Sequence, residues 1–200
     1  MPCYAIEDLI PVIDPSTFVH PTAVIIGDVI IGKDGYIGPG ASIRGDFGRI
    51  VIADGCNIQD NCVMHSFPGQ DCIVETNGHV GHAAVLHGCT VSENALIGMN
   101  AVVMDKAVIG AESIVAAGAF VKSGFECPPR SLLAGSPAEV KRTLREEEVV
   151  WKTQGTREYQ TLTKRCLNSF REVEPLTEVQ HERPRFTASD HKIKDAVKGS

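Results

Sequence analysis

The chain has 200 residues, 43% of them hydrophobic, with a formal charge of −6; this is enough for one domain with a substantial core and an appendage. The acidic balance, with no basic patch interleaved with aromatics, excludes nucleic acid as a partner. No apolar stretch approaches the roughly 18 residues that a span needs, and MPCYAIEDLIPVID has no basic stretch leading into a long apolar run, so the reading is a cytoplasmic protein without membrane contact.

Seven cysteines, at positions 3, 56, 62, 72, 89, 127 and 166, include no close C-x-x-C pair. They read as reduced small hydrophobes, which sets aside structural zinc held by thiolates.

In chain order, the first and dominant feature is a repeat. Aliphatic residues recur every six positions at Val19, Ile25, Ile31, Ile37 and Ile43, and again at Val91, Ile97, Val103, Ile109, Val115 and Val121. A period of six is neither that of a helix nor that of a simple strand. Small residues or Gly tend to follow, as in IGKDGY and IGPGAS, which suits a short strand ending in a tight corner. Stacked hexads bury a continuous column of Ile and Val, so residues 1–135 are predicted to form a parallel β-helix of three hexads per coil. A β-sandwich does not hold so strict a period. Between the two runs the phase slips through Ile52, Ile58 and Met64, which places inserted loops in mid-array.

The period ends near residue 122. Ser136 as a cap with Pro137 at the first helical position, then apolar spacing at Val140, Leu144 and Trp151 and at Tyr159, Leu162, Cys166 and Phe170, predicts two helices split at Gly155 within a helical segment 136–172. Residues 173–200 are polar and aperiodic and read as a loosely held tail. Residues 1–121 hold 4 Lys/Arg against 13 Asp/Glu, whereas residues 122–171 hold 10 against 6. The basic portion is therefore the helical one. Lys141, Arg142 and Arg145 read as a solvated face, or as an attractor for the phosphates of an acyl-CoA.

Three histidines in the middle of the array, His65, His82 and His87, stand out. His65 and His87 are 22 residues apart, and one coil is about 18; if SFPGQD, residues 66–71, bulges outward and absorbs about four residues, the two imidazoles stack on successive coils and can share one metal ion. His82 lies five residues before His87. Extended chain of that length spans about 16 Å and reverses side-chain direction, so His82 must serve a site on another subunit. Three such interfaces around an axis give a homotrimer with three shared sites. Taken singly, each histidine could equally be a hydrogen-bonded group on a β-helix corner.

SIRGDFGRIVI and NIQDNCVMHS supply Arg44, Asp46, Gln59 and Asp60 upstream of His65. In this order, with His82 and His87, these residues resemble the γ-class carbonic anhydrase family over about residues 10–135 and into the helical C-terminus. The resemblance implies a left-handed β-helix, a trimer, and zinc, or another divalent metal such as iron or cobalt, bound by His65, His82 and His87. It further implies Gln59 as partner of the metal-bound water, and Arg44, Asp46 and Asp60 as interface ion pairs. RGDFGRIVI, GHVGHAAVLHGC, LIGMNAVVMD and WKTQGTREYQ are closer still to members of the family that hydrolyse CoA thioesters in phenylacetate degradation. Tyr159 is assigned by that likeness to the catalytic site, whereas Phe47, a departure from the carbonic anhydrase pattern, is expected to act in substrate binding.

Three neutral imidazoles leave the ion's full charge and an open position, so metal-bound hydroxide exists near neutral pH and can attack a thioester carbonyl or carbon dioxide. Phe47 stands where the carbonic anhydrase pattern has an acidic residue, and only Glu75, His79 or Tyr159 could carry protons away. This favours an acyl-CoA thioesterase over fast hydration of carbon dioxide to bicarbonate. A CoA-dependent hexapeptide acyltransferase, with one general-base histidine and no metal, is a further alternative; GSPA at 135–138 is shared with that class.

Overall fold

The computed structural model describes residues 3–186. Its body is the parallel β-helix that the hexads predict, of the left-handed kind that the family resemblance implies. Partners one coil apart pair in register, as in Phe18 with Tyr36, Val24 with Ser42, Leu96 with Ile114 and Val102 with Phe120. Side chains that recur at the sixth position stack up the axis. Ile25, Ile37, Ile43, Val91, Ile97, Val103, Ile109, Val115 and Val121 are fully buried, and the slipped residues Ile52, Ile58 and Met64 join the same column.

Two sheets, of 11 and 8 strands, make the walls. The long strands Val24–Ile31 and Ser42–Ile52 run through a corner and knit two faces into the larger sheet. At that corner a Cβ on Gly27 (φ +75°) would lie 2.5 Å from Gly45 O, so no larger residue fits. Other corners use Asn61, Asn77, Asn94 and Asn100 at φ of 53–59°. Asn tolerates the left-handed region because its short amide can hydrogen-bond locally, so these corners do not need the glycines sought in the sequence.

The C-terminal region departs from the prediction. Residues 138–143 are not helical; Ser131–Gly135 extends the smaller sheet and Ala138–Thr143 returns antiparallel to it, with Ser136 and Pro137 in the turn between them. The Val140 and Leu144 spacing read as one helical turn is therefore the end of a hairpin. One helix follows, Glu146–Ser169, and Gly155 lies inside it. Its start carries the acidic half of a capping box: Arg145 is the N-cap, and the Glu148 carboxylate accepts the Arg145 backbone N–H at 3.0 Å. Glu146, Glu147 and Glu148 in the first turn complement the helix dipole.

A mid-helix Gly costs about 1 kcal/mol relative to Ala, but docking along the smaller sheet holds the helix through it. Val149 packs with Ile114, Asn94 Nδ2 donates to Thr153 Oγ1 at 2.8 Å, Gln160 Nε2 donates to Gly55 O at 3.1 Å, and the Phe170 ring meets Phe18 at 5.3 Å. The helix thus runs back down the β-helix from its late coils to its early ones. No helix among the described residues is long and apolar enough to cross a membrane. Of the predicted tail, residues 173–186 are exposed and 187–200 lie outside the described residues.

Candidate metal centre

The loop at 66–71 does what the spacing requires. Val63–His65 and Val85–His87 are adjacent parallel strands with His65 opposite His87, so four extra residues are accommodated outside the coil. His65 Nδ1 and His87 Nε2 face each other at 3.2 Å. The other nitrogen of each ring is engaged by a carboxylate: His65 Nε2 with Asp46 Oδ1 at 2.9 Å, and His87 Nδ1 with Asp105 Oδ1 at 2.6 Å. Neutral rings that donate to those carboxylates present two lone pairs to one another, an arrangement that repels unless a cation lies between them.

The separation fits such an ion. Tetrahedral coordination with metal–nitrogen bonds of about 2.0–2.1 Å sets ligand nitrogens about 3.3 Å apart. The carboxylates behind the rings fix the tautomer and raise ligand basicity, as is general around metal-ligating histidines.

His82 sits on the corner between His79–Val80 and Val85–His87, half-exposed, with Nδ1 2.7 Å from Asp60 Oδ2. Its Nε2 is thereby left to act as a ligand. It does not complete a cluster inside the chain: among the described residues no three His, Cys, Asp or Glu side chains converge as a ligand set. The residues fit a divalent ion, with His65 and His87 as one pair and His82 aimed from a different edge.

Within one chain, the residues expected to form ion pairs at the interface stand behind different histidines. Arg44 Nη1 pairs with Asp46 at 2.5 Å, behind His65, whereas Asp60 pairs with His82. Burial raises the Asp46 carboxyl, but hydrogen bonds from Arg44 and His65 outweigh it and hold the group below the usual carboxylate range. Phe47 is 57% exposed with its ring 5.4 Å from that of His65. Phe67, which the sequence reading did not single out, stands at 5.2 Å from His87. The two phenylalanines flank the histidine pair.

Gln59 lies with the His82 edge, not beside His65. It is buried, and its Nε2 donates to Asn57 Oδ1 at 2.8 Å and to His79 Nε2 at 2.8 Å. Both amide protons are committed, so Gln59 offers a ligand or water its acceptor oxygen. Tyr159 reaches the same region from the helix, edge-on to His79 at 5.4 Å. Burial, reinforced by the Asp60 charge, pushes its phenol up to about 12. Near neutrality it is a donor that keeps its proton.

Asp105 was legible but overlooked, since it lies one coil of 18 residues beyond His87. Asp105→Asn replaces the carboxylate behind His87 Nδ1 with a neutral amide, a weaker acceptor that can also turn its N–H to the ring, and is expected to weaken divalent-ion affinity about 10- to 100-fold. Competition with a metallochromic chelator measures it, and unchanged affinity would show that Asp105 does not support the ligand.

Comparison with known proteins agrees with the hexad reading. The bacterial transferase hexapeptide (six repeats) family matches residues 88–123. The carnitine operon protein CaiE of Salmonella agona is 54% identical over 197 residues, covering 98% of this chain and 100% of that protein. CaiE of Escherichia coli (strain K12) is 54% identical over 186 residues, covering 93% and 95%. Among solved structures, a hexapeptide transferase family protein from Anaplasma phagocytophilum superposes with a TM-score of 0.79 at 36% identity, covering 82% of this chain and 96% of that one. A Bacillus cereus candidate acetyltransferase gives 0.82 at 33%, covering 83% and 96%.

Proposed function

The chain belongs to the bacterial hexapeptide-repeat family in the company of the CaiE proteins, and from that premise we propose that it is a metal-dependent hydrolase of CoA thioesters whose sites are shared between copies in a trimer. The observation that carries this reading is the pair of facing imidazole nitrogens, 3.2 Å apart, each ring backed by a carboxylate. His65 and His87 of one copy and His82 of its neighbour would hold zinc, iron or cobalt. When bound, such an ion supplies Lewis acidity, lowering the pKa of water from about 15.7 to about 7 and polarising a carbonyl.

The chain's own groups do the remaining work. Gln59, with its nitrogen held by Asn57 and His79, accepts a hydrogen bond from the attacking water and orients it. Being neutral, it leaves the charge of the site undiminished. Tyr159 keeps its proton and can donate a hydrogen bond to a carbonyl oxygen. Phe47 and Phe67 screen the histidine pair from bulk water and contact substrate. The reaction consumes one water and releases the carboxylic acid and the CoA thiol; aromatic acyl groups of phenylacetate degradation are the first candidates for the acid.

The second reading, acyl transfer from CoA to an acceptor, draws on the likeness to the Bacillus cereus candidate acetyltransferase. Carbon dioxide hydration is the other alternative for the same site and ranks ahead of acyl transfer, slowed by Phe47, which stands where an acidic residue would carry protons away.

Hydrolysis of a panel of aromatic and aliphatic acyl-CoAs is expected to disappear on chelation and to return with zinc, cobalt or iron, kcat/KM rising with pH through an apparent pKa near 7. Gln59→Ala lowers kcat more than it raises KM, because it orients water rather than holding substrate. Full activity in metal-free protein overturns the reading, and metal-independent transfer to an amine or alcohol acceptor would establish the second one.

A further inference from the structure

Beside the His82 and Gln59 edge, the structure holds a groove of about 500 Å³ between the C-terminal helix and the smaller sheet. Its floor crosses successive strands, from Asn57–Ile58 through His79–Val80 and Leu96–Ile97 to Ile114–Val115. Three strand spacings carry it about 14 Å along the β-helix axis. The two ends differ in chemistry. Gln59, His79, His82 and Tyr159 stand at one end, whereas Leu96, Met99, Ile114, Ala116 and Trp151 line the rest, and the lining contains no Asp, Glu, Lys or Arg.

An uncharged apolar floor does not recognise a nucleotide's phosphates or satisfy an amide-rich arm. It does recognise hydrocarbon or an aromatic ring, and its volume is that of a small-molecule site. Met99, half-exposed and flexible, and the indole of Trp151 form walls that adapt to either. The polar end is continuous with the edge assigned to the reaction, so an apolar group filling the groove leaves its attached carbonyl at Gln59 and His82.

We propose that this groove is the acyl subsite: it takes the apolar acyl group of a thioester, with Met99, Ala116 and Trp151 determining which acyl groups fit. The position of the carbonyl rests on the hydrolase reading; occupancy of the groove does not.

Trp151 is the single tryptophan of the chain, so its fluorescence reports on the groove without turnover. The probes are S-octyl-CoA and S-(2-phenylethyl)-CoA, thioethers that cannot be hydrolysed, with free CoA as the comparison. Both thioethers are expected to change Trp151 emission saturably and free CoA to leave it unchanged at the same concentrations. Ala116→Leu fills a half-exposed position on the floor; it should weaken thioether binding at least tenfold and raise KM for octanoyl-CoA by a larger factor than KM for acetyl-CoA. Met99→Ala should shift preference toward bulkier acyl groups.

An equal response to free CoA, or none to the thioethers, overturns the proposal. Dissociation of the assembly by Ala116→Leu in sedimentation also overturns it and assigns the groove to a second copy. Thioether binding without thioester hydrolysis defeats the hydrolase reading alone, and hydrolysis without a Trp151 response defeats the acyl subsite alone.

Discussion

Chains carrying His65→Ala mixed with chains carrying His82→Ala regain hydrolysis that neither variant has alone. Each substitution removes one ligand, and since loss of a mere supporting group around a metal costs 10- to 100-fold, either lesion alone is expected to lower activity by at least about 100-fold. In a cyclic trimer each site draws on two chains. A site escapes both lesions when His65 and His87 come from the His82→Ala chain and His82 comes from the His65→Ala chain.

Random mixing at equal ratio yields about one quarter of the sites intact, and co-expressed, differently tagged chains should therefore recover about a quarter of the parent's activity. The pair His65→Ala with His87→Ala supplies the control. Both lesions then fall on the same half of the site, no arrangement restores it, and no recovery is expected. Equal recovery in the two mixtures, or none in either, defeats the shared site.

That division between halves follows from features with unequal visibility in the sequence. A buried column at every sixth position is a one-dimensional signal, because each hexad repeats the environment of the last, so Ile25 through Ile43 and Val91 through Val121 could be placed by counting. The pairing of His65 with His87 was legible for the same reason once residues 66–71 were set outside the coil. The same offset aligns Asn57 with His79, and one ordinary coil leads from His87 to Asp105. Both alignments follow from the repeat alone.

The pairings that turn corners were not readable. Whether Asp60 meets Arg44 or His82 depends on side-chain direction around a corner, to which the hexad period is blind. The C-terminal boundary failed for another reason. Val140 faces solvent on a return strand held by Leu133, and an apolar residue spaced four from Leu144 cannot tell a strand's last turn-out from a helix's first turn. The helix start lay in Arg145 and Glu148, where an arginine cap hides the usual Ser, Thr, Asp or Asn signal.

The sequence reading treated the basic residues of the C-terminal region as surface charge, and Lys152 is the exception. It is 1% exposed, beneath the helix, with Nζ donating to Asn77 O at 3.0 Å and to Asn94 Oδ1. Burial pulls its amine down to about 7, against the opposing influence of Cys56 and Glu112. An unfolded lysine titrates near 10.4. Between these values the unfolded chain binds a proton that the folded chain does not, so the contribution of Lys152 to stability rises with pH across the window from about 7 to about 10 and is flat below it.

The limiting slope is about 1.4 kcal/mol per pH unit, which amounts to about 2 kcal/mol between pH 7 and pH 9. Lys152→Met keeps the bulk of the stem and removes the titrating group, at the cost of two acceptors left without their donor. The variant can therefore be more or less stable than the parent at a single pH, but the difference between the two must move by about 2 kcal/mol in the parent's favour from pH 7 to pH 9. Urea unfolding followed by Trp151 emission, one position away on the same helix, measures that difference where the helix docks. A difference independent of pH over this range would show that Lys152 keeps its proton under the helix.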